Sequence, residues 1–462
     1  MKLPFQRHRL PTHLTLAMLL TLSGYPAHGQ NLEEVVSVAL ISHPKLQQAF
    51  HKVQERQHDE TVAKSGYLPT LNLHAGIGHE RTDSPATRSG GPSTDEYLRR
   101  REASVVLRQM LFEGFATLNN DRRTKAATHS EQYRLLNIAS EMALDVTRSY
   151  LTILMQQKAL DMARQNLDAH EEIYYSIFKR SEQGVQSTAD LSQIRGRLAR
   201  AQSNVIAAEN NLNDARIQFL KLVGVQPEDL TEPEPDIGLI PETLNDTLRV
   251  ASNDYPLLQS ATLDQEAATH EYEASKGGFY PELSIEASRS WNYNLNGIKG
   301  RDDDYAIMLH ARYNLFNGGR DTGQMKAALS RRDEAGDIYS QARLQVQEEA
   351  RLSWEARQQL RRQLPKLEEH FEAINVTVKA YRRQFILGER TLLDVLNAEN
   401  EKLEANLAWN RATTHELEAK YRLLHITGRL LDSLKFALPA NWIPAEKARH
   451  EKARHEKADH SF

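Results

Sequence analysis

Two hydrophobic periods alternate along this chain. A seven-residue repeat runs through Ala139, Val146, Ile153, Leu160, Leu167 and Tyr174, the spacing of a coiled-coil seam. It lies within 69 residues between Gly114 and Gly184 that hold neither glycine nor proline. An unbroken helix of that length runs roughly 100 Å. A second seam, over 188 to 222, has Leu191, Leu198, Val205, Leu212 and Phe219 on one row and Ile194, Ala201, Ala208, Ala215 and Leu222 on the next. Elsewhere the period falls to two. Leu71, Leu73, Ala75 and Ile77 alternate with Asn72, His74, Gly76 and Gly78, and similar alternation runs through Val105, Leu107, Gln109 and Leu111. Leu283, Ile285 and Ala287 form a third such run, and Tyr305, Ile307, Leu309, Ala311, Tyr313 and Leu315 a fourth. Alternation over about ten residues matches the strands of a membrane β-barrel, or else hairpins that cap a soluble coiled coil. Tyr67, Phe112, Phe279, Tyr280 and Phe316 cluster at the helix-proximal ends of these runs, where an aromatic girdle would lie.

The pattern is written twice. KSGYLPT (64 to 70) returns as KGGFYPE (276 to 282), and Pro44 pairs with Pro256 at the same offset of 212. Farther on the offset is 204, matching Gly114 with Gly318, Gly184 with Gly388, Asp190 with Asp394 and Gly224 with Gly428. Such fixed offsets mark an internal repeat, which sets the architecture. The predicted order is a signal peptide over 1–29, a first repeat over 30–224, a Pro-rich connector over 225–242, a second repeat over 243–428 and a C-terminal segment over 429–462. Repeat one is expected to hold a helix over 31–66, a hairpin over 67–112, a long helix over 115–183 and a return helix over 188–222. Repeat two is expected to hold a helix over 243–277, a hairpin over 279–316, a long helix over 324–387, bent near Pro365, and a return helix over 391–427. Each long helix is twice the length of its return helix, so the helix before the hairpin must cover the other half. Four strands are too few to close a barrel, and an open edge in lipid leaves backbone groups unsatisfied. The barrel must therefore be shared, with eight strands in a dimer or twelve in a trimer.

Composition narrows the class. Residues 14 to 24, LTLAMLLTLSG, follow Lys2, Arg7 and Arg9 and precede the small residues of Ala27-His28-Gly29, as in a cleaved signal peptide. Removing those three basic residues takes the net charge from −4 to −7. No apolar run approaches the length of a spanning helix, and no basic patch interleaved with aromatics suggests nucleic acid. The chain has no cysteine, which excludes disulfides, thiolate metal sites and an N-terminal lipid anchor. No phosphate-binding glycine loop and no His-Glu-x-x-His helix is present, so no enzyme, cofactor or metal site is expected. His450, His455 and His460 recur in the EKARH-repeat tail, which reads as solvated and disordered or as a metal-binding tail.

FILGERTLLDVLNAENE (385 to 401), its weaker echo QGVQSTADLSQIR (183 to 195), the helix-Tyr-x-Pro-strand phrase and the Leu-Phe-x-Gly exits after Leu111 and Leu315 resemble the TolC-type outer-membrane factors over essentially the whole mature chain. The resemblance implies a mainly α fold with a membrane β-barrel part. Three chains would share a twelve-stranded barrel in the outer membrane, continued by an α-helical tunnel across the periplasm. It further implies a homotrimer in contact with outer-membrane lipid, a periplasmic adaptor and an inner-membrane transporter; the second turn resembles type I protein-secretion ducts, which implies a transporter of ABC type. A multidrug or small-molecule efflux duct is the alternative within the fold, and a soluble coiled-coil scaffold the alternative outside it.

The candidate residues lie at the two turns and at the helix–strand junctions. By resemblance, Asp190, Arg390 and Asp394 narrow and latch a periplasmic gate, and Gly184, Val185, Gly388, Glu389 and Thr391 form the turns on which an adaptor docks. Asp190 and Asp394 equally suit helix N-capping just after a turn. Phe385 stands where the family often has tyrosine, and Asn397 where a second aspartate occurs, which weakens the case for cation binding at the mouth. Tyr67, Pro69, Phe279 and Pro281 mark where helix gives way to strand.

Overall fold

A computed structural model describes residues 30–88 and 97–444. The expected signal peptide, the middle of the polar loop after the first strand and the EKARH tail lie outside the described residues. The first repeat holds α1 (Leu32–Ser42), α2 (Pro44–Ser65), β1 (Thr70–Glu80), the single turn α3 (Pro85–Arg88), β2 (Leu98–Glu113), α4 (Ala116–Glu182) and α5 (Thr188–Val223). The second holds α6 (Leu244–Asp254), α7 (Pro256–Ser275), β3 (Glu282–Tyr293), β4 (Arg301–Arg312), α8 (Arg320–Ile386) and α9 (Leu392–Ile426), followed by the short α10 (Leu430–Ser433).

The segments 31–66 and 243–277, each read as one helix, are each two. His43 and Tyr255 are extended, at φ −73°, ψ 129° and φ −70°, ψ 125°. Each precedes a proline, whose ring disfavours helical backbone at the residue before it while suiting the first position of the next helix. His43 also caps α2, its Nδ1 accepting from the Lys45 amide at 3.1 Å. α8 begins at Arg320, four residues before the expected 324, and continues through Pro365.

α4 is the centre of the protomer. At the strand end it lies between α2 and α7, and at the turn end between α5 and α9; α8 packs on α7 and α9 at the far side. Each long helix is thus matched by two half-length helices placed end to end. One edge of the protomer is α2 with α5 and the other is α8. Burial follows: Leu135, Ala139, Val146, Tyr150 and Ile153 of α4 are inaccessible, whereas α8 leaves Ile338, Leu344, Leu352 and Val376 exposed.

The main core sits midway along α4, where α1, α6, α9 and the C-terminal segment meet. Tyr150 donates to the Gln30 carbonyl at 2.8 Å and the Thr231 carbonyl at 2.6 Å, tying the connector down. Nearby, buried His425 meets Ser140 Oγ through Nδ1 at 2.8 Å and Tyr255 Oη through Nε2 at 3.2 Å. Burial, reinforced by the positive charge of Arg148, lowers its pKa to about 4. The unfolded chain therefore takes up a proton near pH 6.5 that the folded chain refuses. The stabilisation is complete above that pH and is lost as pH falls towards 4, a change of roughly 3 kcal/mol. Thermal melts over pH 4 to 7 should show this slope in the wild type and a flatter one in His425→Gln; equal slopes would exclude the histidine as its source.

The four strands form one antiparallel sheet in the order β1-β2-β3-β4. Register sorts the side chains onto two faces. Leu71, Leu107, Ala287 and Ile307 stand in one row and Leu73, Val105, Arg289 and Tyr305 in the next, while Asn72, Val106, Ser288 and Ala306 point the other way. The apolar face is bare: Leu73 is 73% exposed and Ile307 58%. Leu111 departs from the expected alternation. A bulge falls there, so Phe112, opposite Leu283, continues the apolar face. Bulges sharpen local twist and are common at barrel rims. Within the protomer, β1 and β4 each have one unpaired edge.

At the junctions, Tyr67 and Phe279 close the final helical turns and Pro69 and Pro281 precede β1 and β3. Phe112 packs edge-on against Phe115 and Tyr280, with centroids 5.3 and 6.4 Å away. Gly114, at φ 63°, admits this crossing: a Cβ there would stand 2.8 Å from the Gly277 carbonyl oxygen and from Tyr280.

Candidate functional site

The α4–α5 and α8–α9 turns are built alike, far from the sheet. Gly184 (φ 71°) and Gly388 (φ 82°) take the left-handed backbone that ends each long helix. Val185 N–H reaches back to the Arg180 carbonyl at 2.9 Å and Glu389 N–H to the Gln384 carbonyl at 2.9 Å. Val185, Glu389 and Thr391 are exposed, so the turns present their tips to solvent.

Asp190 and Asp394 are not the N-caps of α5 and α9: Ser187 and Thr391 are, and each aspartate stands three residues on, in the first turn. Ser187 Oγ accepts from the Asp190 amide at 3.1 Å and donates to Asp190 Oδ2 at 2.7 Å. Thr391 and Asp394 make the full reciprocal capping box, with Asp394 Oδ2 accepting from the Thr391 amide at 3.2 Å and the Thr391 hydroxyl at 2.8 Å. The Ser187 hydroxyl and then the Gln186 amide hold the Asp190 carboxyl below its ordinary pKa; the Thr391 hydroxyl and amide do the same for Asp394. Both are therefore anionic at neutral pH and rigidly held.

Within one protomer Arg390 lies against its own helix end. Its Nε donates to Gln384 Oε1 at 3.0 Å and its guanidinium covers the Tyr381 ring at 4.3 Å. Phe385 joins a small core of Ile173, Ile177, Ile194, Leu392 and Leu396, and Arg180 of α4 stacks over its ring at 5.5 Å. Asn397 accepts from Arg197 Nη2 at 3.0 Å, joining α9 to α5.

Arg382 links three helices through one guanidinium, a contact that the sequence analysis does not single out. Arg382 of α8 donates through Nε to Glu399 of α9 at 2.5 Å and through Nη1 to Glu172 of α4 at 3.1 Å. Glu399 is only 1% exposed. Its backbone carbonyl also accepts from Asn166 Nδ2 of α4 at 3.3 Å. The available signal was a carboxylate seven residues after Leu392, on a row the heptad period buries.

A sheet with an apolar outer face and two open edges, joined to helices of 67 residues, defines a subunit of a membrane barrel with a helical extension. The family model described as outer membrane efflux protein matches residues 35–225 and 248–429, and the chain belongs to that family. Its members are channel proteins, not enzymes, and this one resides in the outer membrane and extends into the periplasm. The chain is 23% identical over 421 residues to the outer membrane efflux protein BepC of Brucella suis, covering 90% of each. It is 23% identical over 453 residues to the alkaline protease secretion protein AprF of Pseudomonas aeruginosa, covering 95% of this chain and 92% of that one. Among solved structures, the CmeC outer membrane channel of Campylobacter jejuni superposes with a TM-score of 0.77 at 17% identity, over 86% of each chain.

Proposed function

We propose that this protein is the exit channel of a tripartite export system, in which three copies, each giving four strands, close a twelve-stranded barrel. The observation that carries this reading is the sheet, apolar outside and unpaired at both edges. An unpaired edge costs several kcal/mol per backbone group in lipid, so each β1 needs the β4 of another copy. The exposed apolar residues of α8 likewise need the α2 and α5 edge of a neighbour. The helical end meets a periplasmic adaptor and an inner-membrane transporter, with Gly184, Val185, Gly388, Glu389 and Thr391 at the docking tips.

The cargo we favour is unfolded protein exported by type I secretion. The similarity to AprF over 95% of the chain supports this, as does the GERTLLDVL turn. The likeness to BepC, an outer membrane efflux protein, supports the alternative of an efflux duct of the same fold. Co-purification from membranes separates the two, an ABC-type pump supporting the first reading and another pump type the second.

Asp190, Asp394 and Arg390, with Phe385 and Asn397 beside them, form the gate at the periplasmic mouth. In planar bilayers the purified full chain should conduct poorly, and Arg390→Ser or Asp190→Ala should raise its single-channel conductance. Asp190→Ala also loses the hydrogen bond from the Ser187 hydroxyl to its carboxylate, so melting is read alongside. Unaltered conductance in both variants, with normal assembly, would remove these residues from the gate.

A further inference from the structure

The outward end of the sheet is charged unequally on its two faces. On the lumen face stand the carboxylates Glu80, Glu102, Asp302 and Asp304. The arginine among them, Arg100, is bound to Glu80 Oε2 at 2.8 Å and Glu102 Oε2 at 2.6 Å. On the apolar face the order is reversed. Arg101, Tyr293 and Arg301 share a row with Ile77, Arg99 lies one row farther out, and Arg289 lies two rows farther in.

These arginines gather outward. Arg289 leans over Trp291 at 5.6 Å and towards Asp303 at 3.8 Å, both one row nearer the rim, as a long cation does when it leaves an apolar band for the interface. Arg301 is paired with Asp303 at 2.5 Å. Arg101 covers the Tyr293 ring at 4.7 Å. Among the described residues neither Arg99 nor Arg101 has a carboxylate partner. The inward end of the same face carries Leu71, Gln109, Phe112 and Leu283 and no arginine, so on this face of the strands the arginines gather at one end.

Resting on the membrane-channel reading above, we infer that Arg99 and Arg101 form a binding site for the phosphate groups of an anionic lipid in the outer leaflet. A planar guanidinium pairs with phosphate in two hydrogen bonds while its flat face rests on an aromatic ring. Arg101 over Tyr293 leaves its edge free for that contact. The occupant is a lipid, because the cations stand at the end of an exposed apolar face that acyl chains would cover.

The test uses the full chain solubilised in detergent and native mass spectrometry. It is titrated with a bis-phosphorylated acylated glucosamine disaccharide and with the dephosphorylated form. The wild type should retain the phosphorylated lipid roughly tenfold more tightly, and Arg99→Gln/Arg101→Gln should lose most of that preference. Arg100→Gln, on the lumen face, should keep it. Equal retention of both lipids by the wild type, an unchanged double variant, or displacement of the lipid by equimolar inorganic phosphate would each overturn the inference. The same spectra read the assembly: a monomer would sink the channel reading, whereas a trimer without lipid preference would sink only this site.

Discussion

Leu73→Arg should abolish assembly of the channel, and Asn72→Arg, one residue away, should be tolerated. Leu73 stands on the bare apolar face, in the row of Val105, Arg289 and Tyr305. Arg289 reaches outward to Trp291 and Asp303, whereas a cation at position 73 has Ala75, Ala103 and Ile77 on its outward side within the chain and costs about 2 to 4 kcal/mol. Every copy in a barrel bears that cost, so the penalty multiplies with the number of chains. Asn72 faces the opposite way, into water, and its replacement keeps the wall intact. Gel mobility of the unheated oligomer and its sedimentation with outer membranes are the measurements. Equal assembly of the two variants would mean that the faces are misassigned and that the sheet is not a barrel wall.

The second large effect is expected at Arg382. Removing its guanidinium in Arg382→Ala leaves Glu399, 1% exposed, without a cation, and breaking a buried pair from one side costs about 3 to 5 kcal/mol. Glu172→Gln removes only the exposed arm of the same arginine, at about 1 kcal/mol or less. The double variant Arg382→Met/Glu399→Met removes both charges and should recover most of the loss. Melting of the detergent-solubilised protein would show the order: wild type and double variant close together, Glu172→Gln slightly lower, Arg382→Ala lowest. A double variant as unstable as Arg382→Ala would mean that packing, not charge, explains the site.

The two periods carried most of the architecture. Heptads in α4, α5 and α9 and alternation in the strands are local, so one sequence shows them. The breaks at His43 and Tyr255 were legible too, since each residue precedes proline; the match in length between long and short segments concealed them. The bulge at Leu111 was not legible, because it depends on register against β3 rather than on β2 alone. The candidate site divides the same way. The capping of α5 and α9 is written in Ser187-x-x-Asp190 and Thr391-x-x-Asp394, three-residue spacings that a reader can see. Arg382, Glu399 and Glu172 meet only because α8, α9 and α4 pack together, which no local spacing records.

The protomer's two edges differ in kind: β1 with α2 and α5 on one side, β4 with α8 on the other. Contacts between copies are therefore heterologous, each chain offering one surface and receiving another, and such contacts end only when a ring closes. A chain damaged along β4 alone would still be recruited through its sound β1 edge and would leave the ring unsealed. One allele of that kind would disable channels built mainly from good subunits, so the fold makes edge defects genetically dominant.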